Sequence, residues 1–475
     1  MSKQRAERVA LVYLPVEDGG WMVAEKREYG MKRVPALGLQ YLAAAVKGAG
    51  RHCHIYDQSL DNFDLPRLAR LLREDEIDVV GFYTSTFLKQ SVIAGMGELR
   101  ERGFSGPLIV GGPGAFSYEE YLAAGADMVC HGEGERSIVE MLEYFGGERD
   151  EAVLRGVSYL RDGRVIMAPP QDLIDPLDEV PFPDRTQHSP DGFYDYHYFG
   201  MRQPYAPMMT SRGCANRCTF CTSAAILGRR VRQRSVENVM AEIEQCVRDF
   251  GLRYIGFKDD IFGTKTEWAE QFAEAMIARG HDLRYGVLLS PFSYLGRREP
   301  TLRLMKRSGL DQVVVGIQSA DPEVIRNIKR RPEQLEAAVE LVSTAKRQGI
   351  TTIIEFIFGL PGDSDATMRK ALDYSLRLRP HHALFFVLTV LEGSEIFEQY
   401  GAEGPDTGFT LEQLRRRCSG YQRHFYTRPG VFFGNLWQIL RTNPRWFLRV
   451  LRYLPYLIKA IGMKRSASAK AMPPE

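Results

Sequence analysis

Short apolar runs rich in Val and Ile recur in two series along this chain, each run followed by a helix-length segment, and that alternation limits it to a few folds. In the first series the strand-type runs are Val9–Leu14, His54–Tyr56, Val79–Tyr83, Leu108–Val110 and Met128–Cys130. Helical patterns at Leu37–Lys47, Leu65–Arg73, Gln90–Arg100, Tyr118–Ala123 and Ser137–Tyr144 lie between them. Strands joined through helices are parallel, and the helices cover both faces of the sheet, so an α/β, doubly wound domain is expected over residues 1–150. Three loops close these strands: Thr84-Ser85-Thr86, Gly111-Gly112-Pro113-Gly114 and Gly132-Glu133-Gly134-Glu135. Such sheets bind ligands at the carboxyl ends of their strands.

A hairpin is expected at Gly156–Leu160 and Val165–Ala168 around the Asp162-Gly163 turn, followed by a Pro- and Asp-rich linker from Pro169 to Asp184. Together they form a connecting segment over 151–200. The second series spans 201–400, with strands at Met208–Ser211, Tyr254–Phe257, Tyr285–Leu289, Val313–Ile317, Thr352–Phe358 and Ala383–Val390. Helical patterns at Val236–Phe250, Glu267–Ala278, Glu333–Gln348 and Ala366–Leu378 separate them. Six repeats predict a (βα)6 partial TIM barrel. Residues 401–475 form a helical tail rich in aromatics and arginine.

A net charge of +2 gives no global attraction to nucleic acid, and no nucleic-acid partner is expected. Seven unevenly spread cysteines make a poor disulfide framework and suit a reducing, cytoplasmic setting. The N-terminus lacks the apolar core of a secretion signal, and no uncharged stretch is long enough to span a bilayer.

The densest chemical signal is Cys214-Ala215-Asn216-Arg217-Cys218-Thr219-Phe220-Cys221. Polar residues interleave the three cysteines, which argues for a loop rather than three small core hydrophobes. Zinc is a rival ligand, but structural zinc takes four protein ligands, usually from paired motifs, and Cys246 and Cys418 stand alone. Iron–sulfur clusters take four thiolates as a rule, so three leave one iron open, the mark of a catalytic metal site.

Cys-x3-Cys-x-Phe-Cys resembles the signature of the radical S-adenosylmethionine (SAM) superfamily. The resemblance implies a [4Fe–4S] cluster on Cys214, Cys218 and Cys221, with SAM on the open iron and Phe220 against its adenine. Three further segments resemble SAM-contacting strand ends of that family. They are Tyr254–Asp260, offering Asp259; Val315–Ala320, offering Gln318 and Ser319; and Phe358–Gly362, offering Gly359 and Pro361. The family more often has Glu where Gln318 stands. Asp259 and Asp260 also read as a plain surface pair, and the two-glycine turn as purely structural.

A flavodoxin-like domain ahead of such a barrel resembles the cobalamin-binding subfamily, on Pro35–Ala43, Val80-Gly81-Phe82, Gly111-Gly112-Pro113 and Gly132–Glu135. The resemblance implies cobalamin contacts from Thr84, Ser85, Gly111, Gly112, Gly132 and Glu133. The Asp-x-His-x-x-Gly motif that ligates cobalt in methionine-synthase-type domains is absent, and His52 and His54 read as edge or core residues of the second strand.

In the tail, Arg441, Arg445, Arg449, Arg452 and Lys459 recur among Leu440, Trp446, Phe447, Val450, Leu451, Leu454, Leu457 and Ile458. This mixture fits a helix in a membrane interface, and equally a cap on the barrel with arginines facing water. Tyr421, Phe425, Tyr426, Arg428 and Pro429 resemble a subfamily tail segment that helps close the substrate cavity. The resemblance as a whole implies a cobalamin-dependent radical SAM methyltransferase acting on an unactivated carbon, with the hopanoid C-3 methylases as the nearest likeness. It implies an electron donor such as flavodoxin or ferredoxin and peripheral contact with the inner face of the membrane. Two alternatives stand beside it: a radical SAM cyclase or rearrangement enzyme of the same architecture, and a non-catalytic cobalamin or Fe–S sensor.

Overall fold

The computed structural model describes residues 6–14, 32–188, 193–195 and 201–442. Its first sheet has seven strands: β1 (Arg8–Tyr13), β2 (His52–Asp57), β3 (Val79–Tyr83), β4 (Leu108–Gly111), β5 (Met128–Cys130), β6 (Val157–Arg161) and β7 (Arg164–Met167). Their spatial order is β2-β1-β3-β4-β5-β6-β7, the first five parallel. Val9–Val12 and Val79–Phe82 are buried because helices cover both faces, as the unbroken apolar runs require. These helices are α1 (Leu37–Gly48), α2 (Leu65–Glu74), α3 (Lys89–Glu101), α4 (Tyr118–Ala123) and α5 (Gly134–Gly146). The strand order reverses between β1 and β3, which opens a crevice at their carboxyl ends. His52 and His54 lie exposed on the edge strand β2.

The expected hairpin forms, but it belongs to this sheet rather than to a connecting segment. β6 pairs antiparallel with β5, and β7 with β6, because Val157 and Tyr159 complete the apolar face. The stretch read as a linker is also packed. Ile174, Leu177 and Val180 are buried against Tyr41 of α1.

The second sheet has six parallel strands in simple sequential order: β8 (Tyr205–Met208), β9 (Tyr254–Phe257), β10 (Arg284–Leu289), β11 (Leu310–Gln318), β12 (Thr351–Phe358) and β13 (His382–Val387). The helices α6 (Val236–Phe250), α7 (Thr266–Arg279), α8 (Arg298–Arg307), α9 (Gln334–Arg347) and α10 (Asp365–Leu378) cover its outside, giving the partial barrel. Local signals set their ends. Ser235 caps α6 through the Asn238 amide, Gly251 closes it in a left-handed conformation, and Ser364 with Thr367 forms a capping box on α10. The first strand begins and ends earlier than Met208–Ser211. Thr210 donates its N–H to Asp259 instead of to a strand, and Ser211-Arg212 turns away to pair antiparallel with Arg232-Gln233.

The open edge of the barrel is closed by α11 (Leu411–Tyr426), which starts in a Thr410/Gln413 capping box and runs along β13. The Tyr421 ring lies 5.6 Å from Phe358 and 6.0 Å from Phe385, centroid to centroid. A last helix, α12 (Pro429–Thr442), follows. The tail residues beyond it, where most of the cationic and aromatic stripe falls, lie outside the described residues.

Candidate active site

The loop after β8 is shaped by one glycine. Gly213 has φ +93°, and a Cβ there would stand 2.5 Å from the Arg230 carbonyl oxygen, so only glycine fits ahead of Cys214. Backbone bonds then pin the loop: Cys214 N–H donates to Gly228 O (3.2 Å), Cys221 N–H to Cys218 O (3.2 Å), and Ile396 N–H to Thr219 O (2.9 Å). The result is that Cys214, Cys218 and Cys221 all line one chamber of about 520 Å³ at the carboxyl ends of the barrel strands. They do not gather on a common point, and among the described residues no trio of His, Cys, Asp or Glu does so. A four-iron cluster, unlike a single ion, is large enough to bridge thiols that stand apart around a chamber. Burial raises all three thiols, Cys221 to about 11, and a bound cation would favour their ionised form. The other four cysteines are buried within the two cores, and none joins this loop.

The chamber also presents Ser290, Gln318, Glu355, Asp260 and Arg330. Gln318 sits at φ +67° in a bulge where the β11–β12 register shifts, which aims its amide into the chamber. The Arg330 guanidinium makes no ion pair or hydrogen bond among the described residues, although its backbone N–H donates to the Ile325 carbonyl at 3.0 Å. Burial lowers its pKa, and its strongest charge interactions are with Cys218, Cys214 and Cys221. The sequence offered no sign of it, since it lies far along the chain from the cysteines.

Of the other residues expected to contact SAM, Phe220 is half-buried, lines the chamber and packs on Val324, Ile328 and Leu360. Asp259 does not line it. Its carboxylate is buried beneath the loop and accepts from the Thr210 and Ser211 hydroxyls at 2.6 Å each. Asp260 is the member of the pair that faces the chamber, with the Ser223 hydroxyl donating to it. Ser319 is buried and accepts the Asp321 N–H at 3.2 Å. Gly359 and Pro361 belong to a turn held by Asp363, which accepts the Gly359 and Leu360 amides at 2.9 and 3.0 Å. Burial lifts the Asp363 carboxyl to about 6 despite those bonds.

A second, apolar chamber of about 570 Å³ lies between the carboxyl ends of the first sheet and the cysteine loop. Gly111, Gly112 and Gly132 line it with Gly81, Phe82 and Tyr83, at the crevice where the strand order reverses. Gly112, at φ +117°, leaves 2.6 Å between a would-be Cβ and the Thr84 carbonyl, so the bare backbone of this loop forms the chamber wall. Thr84 and Ser85 support that wall and do not line it. Thr84 is fully buried with its hydroxyl 2.6 Å from the Tyr121 hydroxyl, and the Ser85 backbone packs under Gly114. No histidine lines the chamber among the described residues. Phe220, Cys221, Ser223 and Asp260 line both chambers and form the wall between them.

Glu133 lines the apolar chamber, but its carboxylate is engaged elsewhere. Arg212 and Arg232 from the cysteine-loop side each donate to it at 2.8 Å, and the Ile174 amide donates at 2.8 Å. Arg212 also pairs with Glu135. Burial disfavours the Glu133 charge, but the two guanidinium bonds outweigh it and hold the carboxyl below its usual range. This buried network ties the Gly-Glu-Gly-Glu loop to the residue two before Cys214. The segment read as closing the substrate cavity lies elsewhere: Phe425 and Arg428 line a cavity at the opposite end of the barrel.

The radical SAM superfamily model matches residues 208–375, and the B12-binding-domain model matches residues 31–142. The chain is 27% identical over 463 residues to an uncharacterized methyltransferase of Pyrococcus horikoshii, covering 90% of this chain and 98% of the relative. It is 26% identical to cytidylyl-2-hydroxyethylphosphonate methyltransferase of Streptomyces wedmorensis, over 65% of this chain and 62% of that one. To the hopanoid C-3 methylase of Methylococcus capsulatus it is 27% identical, over 68% of this chain and 61% of that one. Against the latter two, the chain thus spans about three-fifths of the relative's length. Among solved structures, the radical SAM methyltransferase TsrM from Kitasatospora setae superposes with a TM-score of 0.66 at 21% identity, over 92% of this chain and 89% of that one. The cobalamin-dependent enzyme OxsB gives 0.63 at 17% identity, over 88% of this chain and 56% of that one.

Proposed function

The chain is a radical SAM enzyme with a B12-binding domain, and from that premise we propose that it transfers a methyl group to an unactivated carbon of an apolar, lipid-like substrate such as a hopanoid. The observation that carries the reaction class is the four-residue wall shared by the thiol-lined and apolar chambers. Its three cofactors are a [4Fe–4S] cluster, SAM and cobalamin. When bound, the cluster with SAM supplies hydrogen abstraction, and cobalamin supplies the methyl group.

The chain's own residues then have separable tasks. Cys214, Cys218 and Cys221 hold the cluster, and Phe220 offers SAM an aromatic face. Gln318 and the Arg330 guanidinium offer polar contacts, the latter matched to a carboxylate. Asp259, Ser319, Gly359 and Pro361 act by holding strand ends and turns in place. Gly111, Gly112 and Gly132 present backbone to cobalamin, with Thr84 and Ser85 behind them. No histidine faces the apolar chamber among the described residues. A flavodoxin or ferredoxin supplies the electron, in the cytoplasm.

The lipid-like substrate is supported by the likeness to the hopanoid C-3 methylase and by the apolar lining around the wall. The test is anaerobic turnover of cluster-reconstituted, cobalamin-loaded enzyme with methyl-labelled SAM and candidate lipids. Label in the product together with 5′-deoxyadenosine is expected. Deoxyadenosine with an unlabelled, altered product would establish the cyclase reading instead, and its absence the sensor reading.

A further inference from the structure

A cavity of about 1000 Å³ opens at the amino ends of the barrel strands and shares no lining residue with either chamber above. Its lining carries six Lys and Arg side chains against one carboxylate, Asp311. Three of the six have local partners. Arg202 pairs with Asp282 at 2.8 Å, Lys306 donates to the Gly349 carbonyl at 2.7 Å, and Lys346 donates to the Arg379 carbonyl at 2.5 Å. The two lysines thereby satisfy backbone carbonyls at the bottom of the barrel, an ordinary structural task. The guanidinium groups of Arg284, Arg379 and Arg428 are different: none makes a hydrogen bond or ion pair among the described residues. Arg284 opens β10, Arg379 ends α10 in a left-handed turn, and Arg428 precedes α12. Three separate elements thus bring like charges to one open concavity.

The charge is felt by its neighbours. His381, whose Nδ1 accepts the Thr352 N–H at 3.0 Å, is held neutral down to about 4 by burial and then by Lys346. Lys346 is itself lowered by burial and by Arg379. On a chain of net charge +2, this concentration is local. Beside it, α12 exposes three aromatic side chains: Phe432 at 54%, Phe433 at 63% and Trp437 at 67%, the last also lining the cavity. A soluble phosphate would satisfy the unpaired guanidiniums but leave the exposed rings in water, whereas a lipid interface satisfies both. There aromatic rings settle at headgroup depth, and arginines take phosphate oxygens.

We propose that this cavity and its aromatic rim dock on the phosphate headgroups of an anionic membrane leaflet, through Arg284, Arg379 and Arg428 with Phe432, Phe433 and Trp437. The proposal rests on the barrel floor and α12, not on the tail stripe beyond it or on the chemistry at the cluster. Since the cluster chamber lies at the other end of the strands, the surface anchors the enzyme and does not deliver substrate directly to the cysteines.

The test is flotation of the full-length, anaerobically prepared holoenzyme with vesicles of phosphatidylcholine alone or mixed with phosphatidylglycerol. Binding is expected to the mixed vesicles only and to weaken as salt is raised. At about 1 kcal/mol per cation near an anionic surface, Arg284→Gln/Arg428→Gln should bind about 30-fold more weakly. Phe433→Ser/Trp437→Ser, at exposed positions, should also lose binding. Melting curves and iron content serve as folding controls, and methyl transfer should be unchanged in both variants. Equal binding to both vesicle types, no binding, or binding that neither double variant weakens (so that the tail carries it) would overturn the proposal. A thermal shift with inorganic pyrophosphate but no vesicle binding would overturn it too, in favour of a soluble phosphate ligand. Vesicle binding needs no turnover, so failure of the methyltransferase reading would leave this result standing.

Discussion

Asp259 and Asp260 follow one another at the end of β9, yet their carboxylates meet different surroundings. Asp259 is buried under the cysteine loop and satisfies Thr210 and Ser211, while Asp260 stands in the wall between the chambers. Asp259→Asn should therefore destabilise the fold by about 1–3 kcal/mol, seen as a lower Tm, because an amide cannot accept all the bonds the carboxylate takes. Asp260→Asn should leave Tm within the error of the wild type and change SAM affinity, measured by equilibrium dialysis. An equal loss of Tm in both variants would show that the two positions have been assigned wrongly. The sequence could place the pair at a strand end, but alternation of side chains in a strand does not extend into the loop beyond it. For the same reason Arg330 was invisible: nothing periodic relates it to the cysteines. Gly213 and Gly112, by contrast, lie in glycine-bearing loops whose position after a strand was legible.

At the scale of elements, the junction between the two sheets is an ionic one. Arg212, Arg232, Glu133 and Glu135 are buried, and they join the loop after β5 to the loop after β8. Removing one partner of such a network strands a charge, a cost of about 3–5 kcal/mol, whereas removing both partners is far milder. Glu133→Gln is expected to lower Tm and cobalamin retention after gel filtration. Glu133→Gln combined with Arg212→Met should recover part of the stability but not the cobalamin, because the loop is then no longer held against the cysteine segment. Additive losses would refute this coupling. The alternation of β and α segments made both sheets readable in advance. The network was not, because Glu133 read as a cofactor contact and only long-range packing reveals its partners. The hairpin and the supposed linker were misplaced for a related reason: a Pro-rich composition suggests a connection, while Ile174, Leu177 and Val180 decide where it packs.

For the molecule as a whole, two histidines of the barrel floor contribute to the response to acid. His381 and His382 are held neutral by burial, to about 4 and about 3, against 6.5 in an unfolded chain. Between these values the unfolded chain binds more protons, so their contribution is present above pH 6.5 and is lost as pH falls toward 4. Asp363, held up near 6, acts in the opposite sense. The share of stability that rests on the two histidines should therefore fall between pH 7 and 5. His381→Gln, which keeps an acceptor for the Thr352 amide, should reduce that fall by roughly 1–2 kcal/mol in denaturant titrations at the two pH values. An unchanged pH dependence would place the acid sensitivity elsewhere.

The wall formed by Phe220, Cys221, Ser223 and Asp260 has one more consequence. Because the same four side chains face both compartments, a ligand that orders them on one side has already met the entropic cost of ordering them for the other. The two occupants are then thermodynamically linked, and the linkage is reciprocal: whatever factor cobalamin applies to the affinity for SAM, SAM applies to the affinity for cobalamin.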